Sequence, residues 1–181
     1  MKLDSQACMI TFLLLLVAGL IAYIALNLAP PCAGCNAKVE FVFSPQSEED
    51  VIALIRSAQK TIDIEVYTFT SNDIIRELGE AEKRGVQVRV IMEPRVEEPR
   101  KDRTSALLQE LGAEMRWASL EYKLTHSKFI IVDDKKALVG SINLSDSALN
   151  YNRETAVLLE GEKVKELVAV FKEDWAKATA G

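Results

Sequence analysis

From Val39 onward the apolar positions switch repeatedly between a period of two and a helical period. That alternation restricts the chain to one class of fold. Val39-Glu-Phe-Val-Phe43 alternates as a strand. Ser47 is placed to cap a helix over 48–59, with Asp50 three residues on. The run 61–69 reads as a strand whose apolar residues largely alternate with polar ones. Ser71 or Asn72 caps a helix over 73–84, and Gly85 stops it. A third strand follows over 86–92, then a helix over 103–111 ended by Gly112. Short strands are predicted over 113–117, 127–132, 137–140 and 155–159. A closing amphipathic helix over 162–177 places Val164, Leu167, Val168, Phe171 and Trp175 on one face. Helices alternating with strands predict an α/β sheet covered by helices on both faces. Two strands joined by a tight turn at Asp134-Lys135 make that sheet mixed.

The N-terminal segment is a separate unit. No charged residue occurs between Asp4 and Lys38, and Ala7–Leu26 is almost wholly apolar. Twenty helical residues span about 30 Å, the hydrocarbon thickness of a bilayer. The expected division is therefore 1–35 as a hydrophobic helix with its linker, and 36–181 as the working domain. The helix can be a single membrane anchor, or a signal segment whose cleavage leaves a secreted or periplasmic protein. The weak basic n-region, the long apolar run and Pro30-Pro31 favour the anchor. Flanking charges give no orientation. Cys8 reads as a small apolar residue. Cys32 and Cys35 form a C-x-x-C pair open to a local disulfide, two ordinary thiols, a lipoprotein cleavage site, or half of a zinc site shared by two chains.

The chemistry concentrates in one string. The chain has a single histidine, within His126-Ser-Lys128-Phe-Ile-Ile-Val-Asp133, and Gly140-Ser141-Ile-Asn143 follows. One histidine cannot build a histidine-rich metal cluster. His126 and Lys128 are two apart, so on a strand they share a face. The apolar run 129–132 makes that strand part of the core, a rigid place to hold a site.

The spacing H-x-K-x4-D-x6-G-S-x-N resembles the HKD signature of the phospholipase D superfamily, in its single-motif endonuclease branch. Asn152-Arg153-Glu154 adds a glutamate where that branch carries one, and the resemblance runs from about Val39 to Ala178. It implies an α/β phosphodiesterase domain that works without metal or other cofactor. His126 would be the nucleophile, forming a phosphohistidine. Lys128 and Asn143 would bind the non-bridging oxygens, with the Ser141 hydroxyl beside them. Glu154 would accept a hydrogen bond from the far ring nitrogen of His126. Asp133 and Gly140 would support the site.

The family mechanism needs a second histidine to protonate the leaving oxygen, and this chain has none. The resemblance thus implies a homodimer whose two-fold axis brings two copies of His126 together. The formal net charge is −5, which is unlike a generic nucleic-acid binder. Backbone contact then needs a local patch. Lys123 and Arg153 lie next to the motif residues. Arg100 and Lys101, with Arg95 and Arg103, occupy the loop after the third strand, where α/β sites usually form, among Glu97, Glu98 and Asp102. The expected activity is nonspecific endonucleolytic cleavage of DNA or RNA. The rivals are a phospholipase D or cardiolipin-type lipid hydrolase at the membrane held through residues 7–26, and a non-catalytic nucleic-acid-binding protein. The plan is similar to membrane-anchored members of the superfamily linked both to RNA cleavage and to cardiolipin hydrolysis.

Overall fold

The computed structural model describes residues 5–27, 37–96 and 101–181. It divides into two compact units, Met1–Gly34 and Cys35–Gly181. The first holds one helix, α1 (Ser5–Asn27). Its described side chains, 9–24, are all exposed. Among the described residues no helix is long and apolar enough to cross a membrane. The membrane anchor expected over residues 7–26 thus finds no support among the described residues. Cys32 and Cys35 lie outside the described residues.

The second unit is an eight-stranded mixed sheet flanked by helices. Its elements are β1 (Lys38–Phe43), α2 (Glu48–Arg56), β2 (Thr61–Val66), α3 (Asn72–Lys83), β3 (Gln87–Met92), α4 (Lys101–Glu110), β4 (Glu114–Trp117), β5 (Lys128–Val132), β6 (Lys136–Gly140), α5 (Asp146–Asn150), β7 (Thr155–Glu160), α6 (Val164–Lys177) and β8 (Thr179–Ala180). The strand order is β1-β7-β6-β5-β2-β3-β4-β8. Only β2–β3 and β3–β4 run parallel; the other pairs are antiparallel. One face is buried under α2, α3, α4 and α5, where Ile55, Ile74, Leu78, Leu108 and Leu149 meet Ile62, Ile64, Val88 and Val90. On the other face α6 buries Val164, Val168 and Phe171 against Phe129, Ile131 and Ala137.

Several local expectations needed correction. Ser47 does not cap α2, because its buried hydroxyl donates to Leu149 O at 3.2 Å. The helix stops at Arg56, three residues early, since the chain must turn into the central strand. Ser71 caps α3 as expected, accepting from Ile74 N at 3.3 Å. β2 ends at Val66 rather than residue 69, and only Phe69 continues as a single bridge to Leu144. The polar residues of β2 do not face water: Asp63 and Glu65 are each 1% exposed, because α6 covers that face. The β5–β6 turn is tighter than a generic loop. Asp133 and Asp134 both take positive φ, 55° and 56°, and Lys135 N donates to Val132 O.

Candidate active site

Antiparallel pairing places the end of β2, the start of β5, the end of β6 and the start of β7 along one edge of the sheet. Their flanking residues converge there. His126, Lys128, Gly140, Ser141, Asn143 and Glu154 line an open cleft of roughly 450 Å³. Residues spread over 29 positions of sequence thus meet in one place: five of the six belong to the H-x-K-x4-D-x6-G-S-x-N spacing, Glu154 is the downstream glutamate, and the motif's Asp133 is not among them.

Each is held by its element. Lys128 opens β5 opposite Val66 and is only 8% exposed. Its ammonium donates to His126 O at 2.6 Å. Partial burial pushes its pKa below the ordinary lysine value, while the nearby Glu154 carboxylate works the other way. Asn143 is oriented by Thr68 N, which donates to its Oδ1 at 3.1 Å. That bond leaves the amide NH2 to act as a donor into the cleft. Ser141 Oγ donates to Glu154 Oε2 at 2.5 Å and accepts from Thr155 N at 3.1 Å. Gly140 is a close-approach position: a Cβ there would sit 2.3 Å from Thr155 O and 2.5 Å from Ala156 Cα. No side chain fits without prising β6 from β7 and disturbing the Ser141–Glu154 contact.

His126 is exposed and sits in the segment just before β5. The buried carboxylate of Glu93 steadies that segment by accepting from Thr125 N at 2.8 Å. Arg95 clamps the same carboxylate and also donates to Tyr122 O at 2.8 Å. Burial pushes the Glu93 carboxyl up, but the Arg95 guanidinium and the two backbone N–H groups outweigh it and hold it below its ordinary value. Arg95, a candidate for substrate contact by its position in the chain alone, is thus committed to fixing the loop.

The expected bond between Glu154 and the His126 ring is not made. Glu154 instead takes Ser141 and, at 3.4 Å, Asn152 Nδ2. The ring partner of His126 is Tyr67, with centroids 4.6 Å apart and a 57° tilt. Asp133 lies at the far end of β5, where its carboxylate accepts from the backbone N–H groups of Gln59, Lys60 and Thr61 at 2.9, 2.7 and 3.0 Å. Burial alone would raise its pKa, yet those three donors hold it below the ordinary value.

The candidate contact residues fare differently. Arg153 stacks over Phe43 at 5.2 Å and donates to Ser44 O at 3.2 Å, so it braces β1. Lys123 is exposed in the segment leading to His126 but does not line the cleft. Arg100 lies outside the described residues, as does the side chain of Lys101, which opens α4. Sequence reasoning missed Tyr67, Thr68 and Glu93. The only available signal was their position at the ends of β2 and β3, next to the site edge. Among the described residues no group of three or more His, Cys, Asp and Glu side chains could hold a metal ion.

A family profile described as "Cardiolipin synthase, PLD-like domain" matches residues 51–175. A mitochondrial cardiolipin hydrolase of Canis lupus familiaris is 29% identical over 150 residues, covering 81% of this chain and 55% of that one. A 5'-3' exonuclease of Bos taurus is 28% identical over 160 residues, covering 76% of this chain and 32% of its own length. The chain thus spans only part of these curated relatives. Among solved structures, the phospholipase D family member Nuc from Salmonella typhimurium is 26% identical with a TM-score of 0.75, covering 80% of this chain and 98% of that one.

Proposed function

Since the chain belongs to the phospholipase D-like family, we propose that it is a metal-independent phosphodiesterase, and foremost an endonuclease acting on DNA or RNA. The observation that carries this reading is the single cleft lined by His126, Lys128, Ser141, Asn143 and Glu154. In the first step a ring nitrogen of His126 attacks phosphorus. The P–N bond forms as the P–O bond to the leaving group breaks. Lys128 and the Asn143 amide bind the non-bridging oxygens as charge shifts onto them. The leaving oxygen takes a proton from a protonated His126 of a second copy, so the working enzyme is a homodimer. In the second step water attacks the phosphohistidine, that same second histidine accepts the water's proton, and the P–N bond breaks. Ser141 and Glu154 act as one unit, their short hydrogen bond placing a carboxylate beside the Lys128 charge.

The test is cleavage of labelled single- and double-stranded DNA and RNA in EDTA by the full chain, with His126→Asn alongside. Cleavage by the wild type only is the expected result. A monomer that cleaves, judged by light scattering, would remove the shared site from the mechanism.

A second reading has its own support. Residues 9–24 of α1 form an exposed apolar helix surface, and a mitochondrial cardiolipin hydrolase is among the relatives. The same cleft chemistry then acts on a phospholipid, with α1 holding the enzyme at a lipid surface. Release of phosphatidic acid from cardiolipin vesicles, with every nucleic acid left intact, would establish that reading instead.

A further inference from the structure

Tyr67 stands at the end of β2, one residue beyond Val66. Its ring faces two groups at once. The His126 ring lies 4.6 Å away, and the Lys128 Nζ lies 5.1 Å from the same centroid. The backbone on its C-terminal side is fixed. Thr68 N holds Asn143 Oδ1, Leu144 N donates to Thr68 O at 3.1 Å, and Thr70 N donates to Leu144 O at 2.8 Å. Phe69, fully buried, roots that segment in the core. The Tyr67 hydroxyl makes no hydrogen bond among the described residues, so the aromatic face is what the fold uses.

We propose that Tyr67 is a positioning residue for the phosphoryl-transfer step, its ring holding the exposed His126 imidazole in its attack orientation and facing the cationic charge on His126 and Lys128. The inference rests on the phosphodiesterase reading above. When the His126 nitrogen bonds phosphorus, the imidazole ring gains positive charge, with the Lys128 ammonium nearby. Two cations in a partly dry cleft repel. The electron-rich face of an aromatic ring attracts both and offsets that repulsion, an effect that grows as charge develops. The ring also removes rotamer freedom. An exposed imidazole without a packing partner samples several χ1 wells, and misorientation of the nucleophile costs rate even when binding is intact. Through Thr68 the same segment fixes Asn143, so one short stretch of backbone sets three groups of the cleft.

The experiment compares wild type, Tyr67→Phe and Tyr67→Leu in the full chain. Steady-state cleavage should show kcat unchanged within about twofold for Tyr67→Phe and lowered about tenfold or more for Tyr67→Leu, with KM little changed in both. Equal losses in Phe and Leu, or a loss confined to KM, would overturn the proposal. A second readout does not depend on turnover. Because the chain has one histidine, its ring protons are identified without assignment in a proton NMR spectrum. In wild type and Tyr67→Phe they should be displaced by the neighbouring ring, and in Tyr67→Leu they should return to free-histidine positions. If wild-type His126 already resonates at free-histidine positions, Tyr67 does not hold it. If the displacement is present but His126→Asn cleaves like the wild type, His126 is not the nucleophile, the mechanism proposed above has failed, and the contact stands without its function.

Discussion

The two ends of β5 carry residues of one motif and use them in opposite ways. At its start Lys128 and the preceding His126 open into the cleft, facing Asn143 and Glu154. At its finish Asp133 turns away from the cleft and ties down three successive backbone N–H groups where the chain enters β2. The five residues of β5 put these ends about 16 Å apart. Charge follows the same division on the neighbouring strand. Asp63, near the Asp133 end, accepts from Arg89 Nε and Nη2, each at 2.7 Å. Glu65, near the cleft end and just as buried, has no hydrogen bond of normal geometry to either oxygen. Burial pushes its carboxyl up to about 7, with Ser127 lowering it and Asp174 raising it. A motif legible as one word thus divides into a half that lines the cleft and a half that ties down backbone.

The largest test of that division is His126→Asn, expected to lower the cleavage rate by a factor of about 10⁴ or more while the melting temperature stays put. Lys128→Ala should follow with a loss of roughly 10²–10³ in kcat, since a phosphate-binding charge disappears from a partly dry site. Near-normal turnover would move the phosphate elsewhere. Asp133→Ala should reverse the pattern, costing about 2 kcal/mol in chemical denaturation while activity per folded molecule persists. Its pH dependence has a definite sign. The folded pKa is depressed, so the wild type's advantage over Asp133→Asn is present above the ordinary aspartate range and fades as pH falls through it. Glu65→Gln should give the smallest effect, about 1–2 kcal/mol, with the opposite sign. The folded pKa of Glu65 is raised, so its contribution is full below the ordinary glutamate range and is lost as pH rises through about 7. Wild-type stability should therefore decline over that window more steeply than that of Glu65→Gln; parallel curves would mean that Glu65 ionises freely in the fold.

The sequence made the layered sheet legible because strand and helix periods are written locally. The hairpin between β5 and β6 and the Ser71 cap were readable for the same reason. The cleft-lining set was readable because the motif fixes residue types at set distances. What escaped depends on which face a neighbouring element covers. Glu65 and Asp63 alternate like outward residues, and only α6, a hundred residues on, makes them buried. Ser47 has the sequence of a cap but finds a closer acceptor in Leu149. Arg153 and Arg95 carry the charge of ligand contacts, yet each makes contacts within the protein, Arg153 with Phe43 and Ser44 and Arg95 with Glu93 and Tyr122. Tyr67 looks like any strand aromatic until antiparallel pairing brings it under His126.

The ladder between β2 and β5 joins Ile62 to Val132 and Val66 to Lys128, segments separated by more than sixty residues. Nothing local can hold Tyr67, Thr68 and the motif together before that ladder closes. Pairings so distant in sequence are slow to form, because loop closure must precede any stabilising contact. On dilution from denaturant, helix signals should therefore return early and cleavage late, making enzymatic activity a clock for the joining of the two halves of the sheet.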